Sequence, residues 1–343
     1  MSQPKLRTGM RRPYSVQIEL AEGCNRICAF CGLNGIRDKV GGYQFMEEST
    51  AEAAAKGFAS LCPNARYEFA MHGEPLMNPK HLDILRIFRK WLPEAQFLLA
   101  TNGRAMLGGK MQGHVIALFE AGVDIVMLDT YNPERDQLQE AAKALKGVDV
   151  MDFYEDCIPR KFSPYFNHRR KVQGTLIIMD DIGERSGESS SRTIMNHAGN
   201  TNYKPLPEEP LAKTCTIPFR EMSVCYDGDV NICCMDWGHE MTCGNVNEAP
   251  ASAIWEGAIF RAARKVLGQR SRGFSPCDRC DASSGSRSGL LPKLPAPTKE
   301  DLALLRGVVE EQSGRNYPKL KQYWDIDGST CSLPDEWPGE GKM

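Results

Sequence analysis

The chain has 343 residues, of which 41% are hydrophobic and 25% charged, so it is long enough for two ordinary domains without disulfide support. Its formal net charge of −2 gives no global attraction to nucleic acid or to an anionic membrane. No apolar run is long enough to span a membrane and the basic start has no apolar segment behind it, so we expect a cytoplasmic protein.

Short apolar runs alternate with helical patterns over the first half of the chain. Strands are predicted at 16–20, 67–71, 96–100, 124–128, 148–154 and 172–179, and helices at 47–61, 80–92, 110–121 and 134–145. Six βα-type repeats imply an α/β fold with a parallel sheet covered by helices. Their number suits an open or partial barrel better than a complete eight-fold barrel, and we assign this unit to residues 1–180.

The composition changes after this unit. Residues 181–212 are predicted to be a linker and inter-domain segment, because their first part is charged and rich in Ser and Gly. Cysteines become dense in residues 213–284, where only 251–267 has a helical pattern. Residues 285–343 are predicted to form a Pro-, Gly- and Ser-rich linker and a C-terminal tail.

Thirteen cysteines in a chain expected in the reducing cytosol indicate metal sites or catalytic groups rather than disulfides. Cys24, Cys28 and Cys31 form a C-x3-C-x2-C motif just after the first predicted strand. Three thiolates on one loop can bind three irons of a cubane iron–sulfur cluster and leave the fourth iron open to a small molecule. A zinc site is the alternative, but structural zinc prefers four protein ligands and this loop offers three.

The cysteine loop resembles that of the radical S-adenosylmethionine (SAM) enzymes, with Phe30 in the aromatic position before the third cysteine. The segment His72-Gly73-Glu74-Pro75 is similar to the family's Gly-Gly-Glu-Pro motif, which contacts the amino group of the bound methionine, although His72 replaces the first glycine. The resemblance covers residues 15–180. It implies a set of cofactor-binding residues at the strand ends and on the loop: Phe30, Gly73, Glu74, Pro75, Asn102 and Asp129.

This resemblance implies a partial (β/α)6 barrel that binds SAM and a [4Fe–4S] cluster. In such enzymes the cluster passes one electron into SAM, and a 5′-deoxyadenosyl radical then abstracts hydrogen from the substrate, so the difficult chemistry belongs to the cofactors. An external one-electron donor, similar to flavodoxin or ferredoxin, is implied as a partner.

A second group of cysteines lies in residues 213–284: Cys215, Cys233, Cys277 and Cys280. The run that contains Cys233 is typical of a β-hairpin turning at Asp227-Gly228. The region resembles the auxiliary-cluster domains of radical SAM enzymes, and it is similar to the shorter twitch type found in an aminocyclitol dehydrogenase group rather than to the longer SPASM type. The resemblance implies a second [4Fe–4S] cluster with four protein ligands, suited to electron transfer.

Several alternatives stay open for the second group. Cys234 could replace Cys233, and Cys225 or Cys243 could take part. A zinc site with four cysteine ligands is a further alternative, although the spacing does not fit the usual paired knuckles of zinc ribbons. Cys62 and Cys157 are predicted to be buried thiols.

Two other segments carry polar residues of interest. Asn196, His197 and Asn200 belong to a stretch similar to one that lies between the two domains of relatives, so they could face the substrate or pack between domains. The basic residues between 160 and 171 are predicted to form a solvated face rather than a phosphate or nucleic-acid site.

We expect a radical SAM oxidoreductase that abstracts hydrogen from a small polar molecule similar to a sugar or aminocyclitol, with the auxiliary cluster accepting an electron. An isomerase, an epimerase or an enzyme that modifies a nucleoside, a nucleic-acid base or a peptide is the alternative within this class. A non-catalytic iron–sulfur or zinc protein is the alternative outside it, and the SAM-binding matches argue against that. We expect no membrane partner, and nucleic acid is not excluded.

Overall fold

The computed structural model describes residues 11–28, 30–33, 43–147, 151–154, 174–179, 195–201, 204–282, 291–292 and 294–315. Cys157, the basic segment 160–171, the charged segment 181–192 and the chain beyond 315 lie outside these residues. None of the helices within the described ranges is both long and apolar enough to cross a membrane.

The architecture is α/β, as predicted, and it is built on a parallel sheet. Two short antiparallel strands, β2 (Ala21–Glu22) and β3 (Gln44–Phe45), lie apart from that sheet. Six parallel strands come from the first half of the chain: β1 (Ser15–Ile18), β4 (Arg66–Phe69), β5 (Gln96–Thr101), β6 (Ile125–Asp129), β7 (Met151–Tyr154) and β8 (Gly174–Met179). They lie in the order β1-β4-β5-β6-β8-β7.

Four helices follow strands of this sheet: α1 (Glu48–Leu61), α2 (His81–Trp91), α3 (Met111–Glu120) and α4 (Arg135–Lys143). Helix α1 is rich in alanine, the residue with the highest helix propensity, and it buries Ala51, Ala54, Ala55, Phe58 and Leu61 at helical spacing. Phe58 meets Tyr67 of β4 edge to face, and Phe88 of α2 meets Phe69 of β4 in the same way. These aromatic contacts anchor the helices on one face of the sheet.

The cysteine-rich region continues the same sheet. Strand β9 (Glu221–Val224) pairs in parallel with β1, and β10 (Asp229–Asn231) and β11 (Thr242–Asn245) extend the sheet antiparallel beyond it. The predicted turn between β9 and β10 is present, and Gly228 has the left-handed φ of 93° that such a turn requires. The parallel pairing with β1 was not predicted, because the pattern of a strand does not specify its distant partner.

Two helical predictions were wrong in detail. The helix predicted at 251–267 is two helices, α5 (Ala251–Trp255) and α6 (Ala258–Gly268), because Gly257 is extended and begins α6 as its N-cap. A third helix, α7 (Lys299–Arg315), lies where only a linker and tail were predicted. At its start, the side chains of Thr298 and Asp301 each accept a hydrogen bond from the backbone N–H of the other residue. This spacing of Thr and Asp is a sequence pattern that indicates the start of a helix.

Candidate functional site

A cavity of about 210 Å³ lies where the parallel strands end at their carboxyl edge, the usual place for a ligand in an open α/β sheet. All three cysteines of the first motif line it. So do five of the six predicted cofactor-binding residues: Phe30, Gly73, Glu74, Asn102 and Asp129. Pro75 is instead buried beneath the cavity, as the first residue of the short 3₁₀ helix Pro75–Met77.

Gly73 allows the end of β4 to touch the loop that leads to Cys24. A Cβ atom on Gly73 would lie 2.0 Å from the carbonyl oxygen of Ala21 and 2.5 Å from that of Gly23, which no side chain can tolerate. The next residue, Glu74, donates its backbone N–H to the Gly23 carbonyl at 2.9 Å. Glycine at this position therefore sets the distance between the carboxylate of Glu74 and the cysteine loop.

The carboxylate of Glu74 is buried and held in one orientation. Its Oε1 accepts hydrogen bonds from the Leu76 N–H at 3.1 Å and the Thr101 hydroxyl at 2.6 Å, and its Oε2 accepts one from the Asn102 N–H at 2.8 Å. Burial raises the pKa of Glu74, and these three bonds act against that effect. Because a carboxylate offers about four lone-pair sites, one on Oε2 remains for a cationic ligand in the cavity.

The sulfur of Cys24 faces N–H donors, as a metal-bound thiolate requires. The side-chain amide of Asn102 lies 3.4 Å from this sulfur, and the backbone N–H of Arg26 is also 3.4 Å from it. Such donors stabilise the negative charge of a thiolate and tune the potential of a cluster. With Cys28 and Cys31 lining the same cavity, the donor set fits an iron–sulfur cluster with three protein ligands.

Two arginines clamp the cysteine loop onto α4, and sequence reasoning missed them. Arg26 and Arg104 both form ion pairs with Glu134, and Arg104 also donates to the carbonyl of Asn25 on the loop. Burial is the largest single influence and opposes ionisation of Glu134, but the hydrogen bond from Arg26 and the charges of Arg26 and Arg104 together lower its pKa. Arg26 and Glu134 are 108 positions apart in the chain, so no local motif could have revealed the pair.

The second cysteine group is buried and close together. The pKa of the Cys233 thiol is raised well above its usual value, first by burial and then by the neighbouring thiols of Cys234, Cys277, Cys280 and Cys215. After burial, the thiols of Cys215 and Cys280 raise the pKa of Cys277, and Cys215 also raises the pKa of Cys280. The four predicted auxiliary ligands therefore lie close enough for the charges of their sulfurs to interact.

The alternative cysteines of this region lie in other surroundings. The thiol of Cys234 lies beside the carboxylates of Glu221 and Glu68, which raise its pKa after burial does. Cys243 is buried near Arg264, and Cys225 is 3.7 Å from a ring nitrogen of His239. The neighbouring groups thus favour Cys233 over Cys234 as the proposed auxiliary ligand.

The auxiliary region forms one wall of the cavity at the first cysteine loop. Trp237, four residues after Cys233, lines the cavity and packs with Leu33. Its indole lies 4.6 Å from the ring of His72 and 5.2 Å from that of His197, measured between centroids. This wall could not be predicted from the sequence, since it depends on the pairing of β9 with β1.

Of the three residues considered for substrate contact, only His197 lines the cavity. Burial, followed by the nearby His72, lowers the pKa of His197 to about 4, so its imidazole is neutral at pH 7. Asn196 is used inside the protein, where its amide donates to the Arg279 carbonyl at 2.8 Å and its Oδ1 accepts from the N–H of Asp281. The amide of Asn200 donates to the His197 carbonyl and supports that turn.

Comparison with known proteins agrees with this geometry. The model of the SPASM iron–sulfur cluster-binding domain matches residues 215–281, which contain all four auxiliary cysteines. The S-adenosyl-L-methionine-dependent 2-deoxy-scyllo-inosamine dehydrogenase of Niallia circulans is 23% identical over 269 residues, covering 78% of this chain and 92% of that protein. The resemblance to radical SAM enzymes with an auxiliary iron–sulfur domain is confirmed.

Two solved structures have a fold similar to that of this chain. BtrN in complex with AdoMet and 2-DOIA has a TM-score of 0.61 at 20% identity, covering 80% of this chain and 95% of that one. BtrN in an open conformation has a TM-score of 0.52 at 18% identity, covering 79% and 94% of the two chains. The predicted partial barrel with an auxiliary cysteine-rich region agrees with these matches.

Proposed function

We propose that the protein is a radical SAM oxidoreductase that removes two hydrogens from a small polar substrate of the aminocyclitol class. The observation that carries the proposal is the shared cavity wall. Trp237, which closely follows the auxiliary ligand Cys233, lines the same cavity as Cys24 and Glu74. The dehydrogenation named for the Niallia circulans relative supports the reaction and the substrate class.

In this proposal Cys24, Cys28 and Cys31 hold one [4Fe–4S] cluster, and Cys215, Cys233, Cys277 and Cys280 hold the second. When bound, the clusters and SAM supply hydrogen abstraction from a substrate C–H bond and a one-electron acceptor for the carbon left behind. A secondary alcohol thus becomes a ketone by losing one hydrogen atom, one electron and one proton. An external donor similar to flavodoxin or ferredoxin supplies the electron that starts each turnover.

The protein's own residues bind and orient the reactants. The remaining lone pair of Glu74 accepts a bond from the ammonium group of SAM, a charge-assisted contact between groups held in fixed positions. Phe30, Leu33 and Trp237 provide apolar surface that limits access of water to the cavity. A hydrogen bond from a hydroxyl group of a cyclitol is accepted by the carboxylate of Asp129, which lines the cavity together with the ring of His197.

Among the residues that the structure describes, the positions of the cysteines outside the two groups favour oxidation over hydrogen return. An epimerase needs a thiol at the cavity to give a hydrogen atom back to the substrate. Cys62 instead contacts Tyr67 beneath α1, and Cys234 and Cys243 lie beside Glu221 and Arg264 in the auxiliary region.

Anaerobic turnover with SAM, a one-electron reductant and a panel of aminocyclitols tests the proposal. We expect one 5′-deoxyadenosine per product and a product two hydrogens lighter than its substrate. The variant Cys280→Ala should still cleave SAM but form no oxidised product, whereas the buried-thiol control Cys62→Ser should retain both activities. A product of unchanged mass that carries solvent deuterium would instead identify an epimerase.

A further inference from the structure

Four buried side chains of three different chemistries meet beyond the carboxyl ends of neighbouring strands. Glu19, His72 and Cys225 have no exposed surface and His239 is 3% exposed. Each offers one metal-binding atom, and these four atoms all lie within 4.8 Å of one another. None of the four belongs to the two cysteine groups assigned above.

The sheet brings three of these residues together at the carboxyl ends of its strands. Glu19 directly follows β1, Cys225 directly follows β9, and His72 lies three positions beyond the end of β4. Because β9, β1 and β4 are parallel neighbours, their carboxyl ends meet. His239 comes from the loop between β10 and β11 and has the left-handed φ of 50°, which is uncommon outside glycine.

The ring of His72 presents an unprotonated nitrogen to the centre of this group. Its Nε2 lies 3.1 Å from the carbonyl oxygen of Cys234, and because a carbonyl can only accept, Nε2 carries the hydrogen. In the neutral ring Nδ1 is then bare, and it lies 3.2 Å from Oε1 of Glu19. Both atoms are buried without a hydrogen bond. Two acceptors in such contact need a cation or a proton between them.

The donor set fits zinc. Zinc binds sulfur at about 2.3 Å and imidazole nitrogen or carboxylate oxygen at about 2.0–2.2 Å, which places tetrahedral ligands about 3.3–3.8 Å apart. The His72–Glu19 pair at 3.2 Å and the Cys225–His239 pair at 3.7 Å are already near that spacing. One thiolate and one carboxylate neutralise a divalent ion, so the ion and its four ligands together would carry no net charge, and the carboxylate of Glu22 lies 3.7 Å from the ring of His239 beside them.

The supporting hydrogen bonds of a metal site are also in place. Histidine ligands commonly donate their second ring N–H to a backbone carbonyl, as His72 does to Cys234. The second oxygen of Glu19 accepts the backbone N–H of Tyr226 at 3.0 Å, which fixes the direction of the first. We propose that Glu19, His72, Cys225 and His239 bind one Zn²⁺ ion in a closed, structural site. The site ties β1 and β4 to the auxiliary region and is independent of the proposed activity.

Metal analysis of the anaerobically purified holoenzyme tests this site. We expect about one zinc per chain beside the iron, and zinc X-ray absorption that reports one sulfur near 2.3 Å with three nitrogen or oxygen ligands near 2.0–2.1 Å. Zinc below a tenth of an atom per chain would overturn the proposal, as expected if only a proton joins Glu19 and His72. A shell of three or four sulfurs would also overturn it, since that zinc would occupy an iron–sulfur site.

Variants provide a second measurement. Cys225→Ala and His239→Gln should each lower zinc at least fivefold while the iron content stays unchanged. Cys243→Ser, which alters a buried thiol in β11, should keep the zinc. Full zinc in both ligand variants would contradict the assignment. If either variant fails to fold, the zinc content and the zinc X-ray absorption of the unmodified protein still show whether the four proposed ligands bind the ion.

Discussion

The ring of His72 lies against the indole of Trp237, with centroids 4.6 Å apart. His72 occupies the first position of the motif that contains Glu74, and Trp237 belongs to the auxiliary region. The contact explains why a bulky residue stands where related motifs have glycine. The imidazole fills the space between the end of β4 and the auxiliary loop and binds the Cys234 carbonyl.

Restoring glycine at this position should therefore weaken the protein. His72→Gly removes a buried ring and leaves the Cys234 carbonyl unpaired, so we expect the midpoint of anaerobic thermal unfolding to fall by roughly 5 °C or more. His114→Gln, at a half-buried position of α3, is the control and should change the midpoint less. An unchanged midpoint in His72→Gly would show that the ring contributes nothing to the junction.

Replacing the carboxylate of Glu74 should weaken SAM binding. Glu74→Gln keeps the size of the side chain but removes the charge that faces the ammonium group. We expect the dissociation constant for SAM, measured anaerobically by equilibrium dialysis, to rise about 10- to 150-fold, equivalent to about 1.5–3 kcal/mol. The exposed control Glu94→Gln should bind normally, and iron content should not change in either variant. Unaltered affinity in Glu74→Gln would refute the assignment.

Removing the first cysteine motif should halve the iron. With Cys24, Cys28 and Cys31 all replaced by alanine, we expect about four irons per chain in place of about eight, because only the auxiliary cluster remains. SAM cleavage should be abolished. Iron analysis and the assay for 5′-deoxyadenosine measure both effects, and Cys62→Ser serves as control with full iron. Eight irons in the triple variant would place the first cluster elsewhere.

The two adjacent cysteines at 233 and 234 form a matched pair for the auxiliary cluster. Cys233 faces Cys215, Cys277 and Cys280, whereas Cys234 lies beside Glu221. We therefore expect Cys233→Ala to lose about four irons and Cys234→Ala to keep them all. The opposite result would reverse the register of the auxiliary ligands.

Breaking the arginine clamp should loosen the first cysteine loop. Glu134→Gln leaves Arg26 and Arg104 without their anionic partner, and we expect the first cluster to lose iron to a chelator several times faster. Asp136→Asn, two residues further on in the first turn of α4 and with its side chain 83% exposed, is the control. Equal rates of iron release in the two variants would show that the clamp does not hold the loop.

Local patterns were sufficient to predict much of this molecule. The sequence predicted the parallel strands to within a few residues, because buried apolar runs and helical periods are local properties. The motifs around Cys24 and Glu74 also predicted which residues line the cavity, since strand ends of a parallel sheet meet at one edge.

Features that depend on distant pairing were not predictable in this way. The wall at Trp237, the clamp at Glu134 and the meeting of Glu19 with Cys225 all require knowing which strand lies beside β1. Helix α7 was missed for a different reason, because its cap at Thr298 lies at the end of a proline-rich segment that was interpreted as a linker. Asn196 and Asn200 were grouped with His197 by sequence proximity, yet only His197 lines the cavity.

The pairing of β9 with β1 has a consequence for how this protein can be divided. All four residues of β1 are buried, and β9 satisfies one side of its backbone. A chain ended before residue 213 would leave that side as an open edge, a template for aggregation. The auxiliary region is thus no detachable module, and an exchange of auxiliary regions between relatives must include a strand that pairs with β1.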